Sequence, residues 1–346
     1  MAINRDRGAK LRFGLVGAGR IAESYVQAFE GSINAQLAGI ADTRLEAAEA
    51  LGRRAGCDHY ASYLELAESK KIDAMIVATP PDTHPAICLD LLGRGIAVLC
   101  EKPVSIDPVS ARLIQKESRD KKVAFTMASK FRYAEDVVRA RNVVESGILG
   151  DIVLFENTFM SYVEMSKRWN ANRGVSGGGV LIDNGTHSVD IMRYFIGPLA
   201  AIHAVAGPQV QGLGVEETVH VTARAESGGI GRMDLSWSIN KQSDDYIAIY
   251  GSKGTLRVGW KASLFKQAGN STWIQFGNGY NKVQAFRDQI QNFSAAVQGL
   301  ERLLIDSSDA IASVDGVRGG YEALKTGAWV EIPGAPERAG VKSHAA

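Results

Sequence analysis

LRFGLVGAGRIAESYVQAFEGS, residues 11–32, decides the fold. An apolar run, Leu11 to Val16, reads as a buried strand. It breaks at two glycines one residue apart, and from Glu23 the apolar positions return at helical spacing. Strand, glycine turn and helix frame GAGRIA (17–22), a G-x-G-x-x-A pattern. Gly17 permits the tight turn, Gly19 lets backbone amides approach a pyrophosphate, and Ala22 is small where helix meets strand. The helix start, with Arg20 and Ile21, offers free N–H groups to an anion. The next apolar run, AQLAGIAD (35–42), ends on an acid at about the 20-residue spacing a dinucleotide site requires. Asp42 suits a ribose 2′-OH and repels a 2′-phosphate, which points to NAD. Arg44, two residues on, softens that repulsion and keeps NADP possible. A glycine turn followed by a strand-end Asp explains the fingerprint taken alone; the strand-turn-helix context favours the dinucleotide.

Working outward, apolar runs and helical segments alternate to about residue 129. DAMIVATPP (73–81), AVLCEKP (97–103) and VAFTMAS (123–129) lack polar alternation, as strands buried on both faces do. After that, strand-like runs such as TVHVTARAE (218–226), IGRMDLSWSI (230–239) and DYIAIYGSKGTLRVGW (245–260) follow one another with no helix between them. The expected fold class is α/β. A Rossmann dinucleotide-binding domain (1–129) precedes an α+β domain (130–346) with a large open mixed or antiparallel sheet, which binds substrate and carries oligomer contacts.

The 346-residue length is enough for roughly two domains. With 39 basic and 38 acidic residues the chain has no charge excess to draw it to nucleic acid or anionic lipid, which leaves a small-molecule partner. Cys57, Cys88 and Cys100 fit neither a disulfide framework nor a metal site, so no metal is expected and a reducing, cytoplasmic setting fits. The start MAINRDRGAKLRFGLVGAG is charged and then turns apolar for too short a run to read as a signal peptide, and no apolar run of about 18 residues or more is present, so no membrane span is expected.

Chemistry concentrates at strand ends and in one helix. ATPPDTH (78–84) follows a strand, where a doubly wound sheet binds ligands. Thr79 and Pro80 suit the nicotinamide side; His84 joins the cofactor residues, although a first-turn histidine is more often structural. CEKPVS (100–105) ends the next strand, which brings Glu101 and Lys102 to the same mouth. A desolvated Lys102 suits a substrate hydroxyl, a surface lysine is the plainer alternative, and the Lys-Pro bond is a candidate for cis. In SGGGVLIDNGTHSVDIMRYF (176–195), Asp183, His187 and Asp190 stand four and three apart, on one helix face among apolar neighbours. An amphipathic helix would put such groups on its wet side.

GLVGAGRIA, ATPPDTH, CEKP and GGGVLIDNGTHSVDIMRYF, in this order, resemble the Gfo/Idh/MocA oxidoreductases over residues 11–333. The resemblance implies that the E-K-P lysine and the D-x-x-x-H pair meet at the nicotinamide. Carried over, Lys102 orients a secondary hydroxyl, His187 acts as acid and base, and Asp183 binds a neighbouring hydroxyl or steers His187. Asp190 reads as packing, and Glu101 as support for Lys102 or the turn. Gly177, Gly178 and Gly179 would let backbone approach the cofactor or substrate, and Gly185 would leave room on the catalytic face. Lys130, Arg132 and Tyr133, then Lys167 to Arg173, supply charge and rings for a sugar acid or nucleotide-sugar, with Arg132 and Trp169 the chosen substrate contacts. A solvated loop explains the same charges. The implied activity is hydride transfer between nicotinamide and a secondary hydroxyl or ketone of a sugar, sugar derivative or cyclitol. The alternative is a silent dinucleotide-binding sensor, disfavoured because all three groups are present. The uncovered sheet face implies a homodimer or homotetramer, with IGRMDLSWSI and DYIAIYG as candidate interface strands.

Overall fold

The computed structural model describes residues 9–333. The charged start at 1–8 and the tail at 334–346, both inside the expected domains, lie outside the described residues. The first sheet is built from β1 (Leu11–Val16), α1 (Arg20–Phe29), β2 (Ala35–Ala41), α2 (Leu45–Ala55), β3 (Asp58–Tyr60), α3 (Tyr63–Glu68), β4 (Ala74–Val77), α4 (His84–Gly93), β5 (Ala97–Glu101), α5 (Pro108–Lys121) and β6 (Phe125–Ala128). Its six strands are parallel in the order β3-β2-β1-β4-β5-β6, the doubly wound order whose strand ends open a ligand crevice beside β1 and β4. Every residue of β4 and β5 is buried, which accounts for their apolar sequence as far as Glu101 at the end of β5. Capping starts the helices where the sequence allows it: Ser62 accepts from Glu65 N ahead of α3, and Asp107 accepts from Ser110 N ahead of the Pro108 that opens α5.

The chain continues through α6 (Glu135–Glu145), β7 (Ile152–Met160), α7 (Arg173–Ser176), α8 (Val180–Ile196), β8 (Leu199–Ala206), β9 (Thr218–Ala225), β10 (Ile230–Ser236), β11 (Asp245–Gly251), β12 (Gly254–Gly259), β13 (Ser263–Gln267), β14 (Ile274–Gly277), α9 (Lys282–Val297), α10 (Ser307–Thr326) and β15 (Val330–Glu331). Nine strands form a second sheet in the order β14-β13-β12-β11-β7-β10-β9-β8-β15. It is mixed: β7 and β10 are parallel, and the other pairs antiparallel. Burial alternates along β7, β9 and β10, so one face packs on α8 while the other is open.

The last two helices return to the first sheet. Phe286 of α9 meets Tyr25 of α1 edge-on at 4.7 Å, and Phe293 lies 6.0 Å from Phe13 of β1. Ile311 and Val314 of α10 join the core on the α4–α5 side. By sequence both helices follow the boundary at 129; by packing α9 completes the first core, and α10 bridges it to α8 and β8, with Val317 and Ala323 in the core under the second sheet. Among the described residues no helix is long and apolar enough to cross a membrane, and no group of three or more His, Cys, Asp or Glu is placed to hold a metal.

Candidate active site

A cavity of about 1350 Å³ runs along the carboxyl ends of β1, β2 and β4 and under the end of β7. Gly17, Gly19, Arg20, Ile21, Asp42, Arg44, Thr79 and Pro80 line one end of it. Gly17 has φ +98°, and a Cβ there would stand 2.6 Å from the Ala78 carbonyl oxygen, so the turn requires glycine. A Cβ at Gly19 would meet nothing within 4 Å. Gly19 is also the N-cap of α1, and it has no side chain to bond the free amides behind it. This bare helix start beside open space fits a pyrophosphate. One oxygen of Asp42 accepts from Ala18 N at 2.7 Å and the other from Arg44 N at 2.9 Å. The carboxylate is thus fixed at the end of β2, on the wall where a ribose would lie. The residues fit NAD.

At the other end Lys102, Asp183 and His187 share the cavity wall. Lys102 follows β5, and Asp183 and His187 lie in the first two turns of α8, so the two sheets each contribute. Lys102 Nζ donates to Asp183 Oδ1 at 2.5 Å and to the Asp183 carbonyl at 3.0 Å. The Lys102–Pro103 peptide is cis. His187 is 5% exposed; its Nδ1 lies 3.3 Å from Ser129 Oγ, and Phe131 packs edge-on against its ring at 5.1 Å. Burial, reinforced by the charges of Lys102 and Lys130, holds this imidazole well below its ordinary pKa. It is therefore neutral near pH 7. With Nδ1–H donated to Ser129, Nε2 is left with its lone pair.

Several expected site residues are elsewhere. Arg132, expected at the substrate, is 4% exposed and turned into the core, paired with Asp190 at 2.7 Å and Asp309 at 3.1 Å. Asp190, on the face of α8 that carries His187, is fully buried there, and its charge draws the guanidinium inward. Glu101 lies beneath the cavity, accepting from Tyr25 Oη at 2.8 Å and from Lys102 N at 3.2 Å, its pKa raised by burial. It supports the Lys102 turn and does not face a cofactor. His84 is buried, with Nδ1 2.8 Å from the Pro103 carbonyl and Nε2 2.9 Å from that of Thr79, and so ties together the loops after β4 and β5. The glycines before α8 serve packing. A Cβ at Gly178 would overlap Tyr321 Oη at 1.9 Å, and one at Gly179 the Glu216 carbonyl at 2.0 Å. Gly185 abuts Leu181 and Leu235 in the core.

Trp169 does line the cavity, 44% exposed, next to Arg168. Residues without a motif complete the wall: Phe159 and Ser161 at the end of β7, Trp260 after β12, and Lys282 at the start of α9. Only the alternation within β7 signalled any of these. Ser129, at the His187 ring, carried no signal beyond its place after a Rossmann strand.

Comparison with known proteins agrees with this architecture. Residues 11–129 match the oxidoreductase family with NAD-binding Rossmann fold, and residues 137–257 match the GFO/IDH/MocA C-terminal domain. The chain belongs to the Gfo/Idh/MocA family of NAD-binding oxidoreductases. Inositol 2-dehydrogenase of Rhizobium meliloti (strain 1021) is 25% identical over 327 residues, covering 88% of this chain and 94% of that protein. The rhizopine catabolism protein MocA of Rhizobium meliloti is 25% identical over 310 residues, 88% of this chain and 92% of its own. The solved complex of levoglucosan dehydrogenase with NADH and levoglucosan superposes with TM-score 0.87 at 19% identity, over 94% of this chain and 100% of that one.

Proposed function

We propose that this protein is an NAD-dependent dehydrogenase acting on a secondary hydroxyl of a sugar, sugar derivative or cyclitol. The observation that carries this function is the meeting of Lys102, Asp183 and His187 at the end of a cavity whose other end fits a dinucleotide. The inositol and levoglucosan dehydrogenases named above support the substrate class.

When bound, the nicotinamide would supply a hydride acceptor at C4. The chain's own groups handle the proton. His187, neutral and with Nε2 free, accepts the hydroxyl proton as the carbinol carbon loses hydride. Nδ1 lies 3.3 Å from Ser129 Oγ, and an Nδ1–H donated there would fix the tautomer that leaves Nε2 free. Lys102 has three N–H donors, two of them held by Asp183, so one remains for the substrate oxygen as negative charge develops on it. Asp183 thus serves by aiming Lys102. In the reverse direction His187 returns the proton to the alkoxide.

The open face of the second sheet supports a homodimer or homotetramer: Tyr250, Leu154 and Ile230 form a row across β11, β7 and β10, and Ile230 is 47% exposed. Light scattering at micromolar protein tests this, and monomers alone would rule it out.

The enzymatic test follows absorbance at 340 nm with NAD and a panel of inositols, aldoses, anhydrosugars and sugar acids. Reduction by wild type, lost in Lys102→Ala, is the expected result. Tight NAD binding with no reduction across the panel would instead favour a sensor.

A further inference from the structure

Lys130 begins the short turn after β6 and lies on the cavity wall at the end that holds Lys102 and His187. Among the described residues its Nζ makes no hydrogen bond and has no carboxylate within 4 Å. Its ammonium lies over two ring faces, Phe131 at 5.3 Å and Phe286 at 5.6 Å to the centroids, and the carboxylates of Glu101 and Asp183 act on it only from a distance. These rings stabilise a cation but accept none of its N–H donors in the way an oxygen does. Lys282, the first residue of α9, lines the same cavity and is likewise unpaired among the described residues. The two carboxylates lining the cavity are already engaged: Asp42 by Ala18 N and Arg44 N, Asp183 by Lys102. Arg168 lines the cavity too, and the charges of both Arg20 and Asp183 act on it, so it stands between the two ends. Among the described residues neither Lys130 nor Lys282 has a hydrogen-bond or ion-pair partner; rings alone lie against them.

Glu101 offsets part of the Lys130 charge but accepts none of its N–H donors, while Lys102 and Lys282 repel it, so a ligand that brings both opposite charge and acceptor oxygens would stabilise it. Its pKa is lowered to about 8, chiefly by burial. We propose that the substrate is a polyhydroxy acid whose carboxylate is received by Lys130, with Lys282 flanking it, an inference that rests on the dehydrogenase function proposed above. Phe131, Phe159 and Trp260 wall the space alongside and suit the apolar face of a sugar ring. A carboxylate fits better than a phosphate. The amide of Gln284 at the start of α9 is already capped by Asn281, so the two lysines alone meet the anion, a complement that suits the two oxygens of a carboxylate better than the three of a phosphate.

The test uses holoenzyme and matched pairs: an aldose against its uronate, an alditol against its aldonate, a hexose against its 6-phosphate. Turnover is read at 340 nm, and binding in the presence of NADH by calorimetry. A carboxylate should bind about tenfold or more tighter than its neutral parent. Lys130→Met should erase that preference through KM, so that within the variant the acid and its neutral parent agree within about threefold. Lys282→Gln, at an exposed position, should weaken it partially and serves if Lys130→Met does not fold. The carboxylate KM should rise as pH passes about 8 in wild type and not in Lys130→Met; Glu101, Lys102, Lys282 and Asp183 are the other charged groups that act on Lys130. Equal or better binding of every neutral parent, a preference for the phosphate, or a carboxylate preference that survives Lys130→Met would each overturn the inference. Reduction of NAD by neutral sugars alone would do so while leaving the dehydrogenase function intact. Failure of NAD to bind would remove that function instead.

Discussion

At one end of the cavity the walls come from the turns after β1, β2 and β4, with Gly17, Gly19 and Arg20 nearly consecutive and Asp42 one helix later. At the other end Lys102, Lys130, Phe159, Trp169, His187, Trp260 and Lys282 come from segments spread over about half the chain. The first end is made of backbone: bare amides, a positive φ and open space beside Gly19. The second is made of side chains whose charge and tautomer depend on neighbours far away in sequence. A backbone site tolerates little change in the glycines and much around them. A side-chain site can be retuned one residue at a time, which suits a family whose members share a cofactor fold and differ in substrate.

That contrast can be broken most sharply by His187→Ala. Turnover should fall by about 10² to 10⁴, with NADH affinity, read by fluorescence titration, nearly unchanged. Loss of NADH binding would mean the two ends are not independent. Next in size is Arg132→Met. It leaves Asp190 buried without its partner and should cost about 3–5 kcal/mol in urea unfolding. The substrate KM of the folded fraction should not move; a raised KM at unchanged stability would put Arg132 back in the cavity. At the cofactor end Gly19→Ala should raise the NAD Kd by roughly tenfold without lowering the apo Tm, because its Cβ meets nothing in the protein. Gly17→Ala should lower the Tm itself. Equal behaviour of the two would show that open space beside Gly19 is not where the anion lies.

The smallest effect is on pH dependence. The acid limb of kcat/KM should lie below the ordinary histidine range, since His187 is held neutral by burial and by Lys102 and Lys130. Removing one positive neighbour favours the imidazolium, so Lys130→Met should move the limb to higher pH. A limb that stays put would separate Lys130 electrically from His187.

The same contrast explains what was legible beforehand. The strand-turn-helix at 11–32 and the acid at Asp42 could be read because they lie close in sequence and their geometry is set by the backbone. The second sheet was legible as a sheet, but the parallel pairing of β7 with β10 joins segments separated by α8, β8 and β9. Arg132 was misplaced because a charged residue after a Rossmann strand can turn either way, and the deciding partner, Asp190, lies on another element. Gly177 to Gly179 read as room for a ligand; the space belongs to packing, with Tyr321 and Glu216 as the neighbours at the latter two. Glu101 and His84 were close to the site in sequence and stand behind its wall in space.

The return of α9 to the first sheet bears on how the chain acquires its structure. Phe13 and Tyr25 are synthesised more than two hundred residues before the rings that cover them, Phe293 and Phe286. Until the ribosome releases those residues, the nascent dinucleotide domain has an uncovered apolar flank. Contacts of such large sequence separation close late and slowly. A fragment ending at residue 129 should therefore bind hydrophobic dye and aggregate, and adding residues 282–297 as a separate peptide should suppress both.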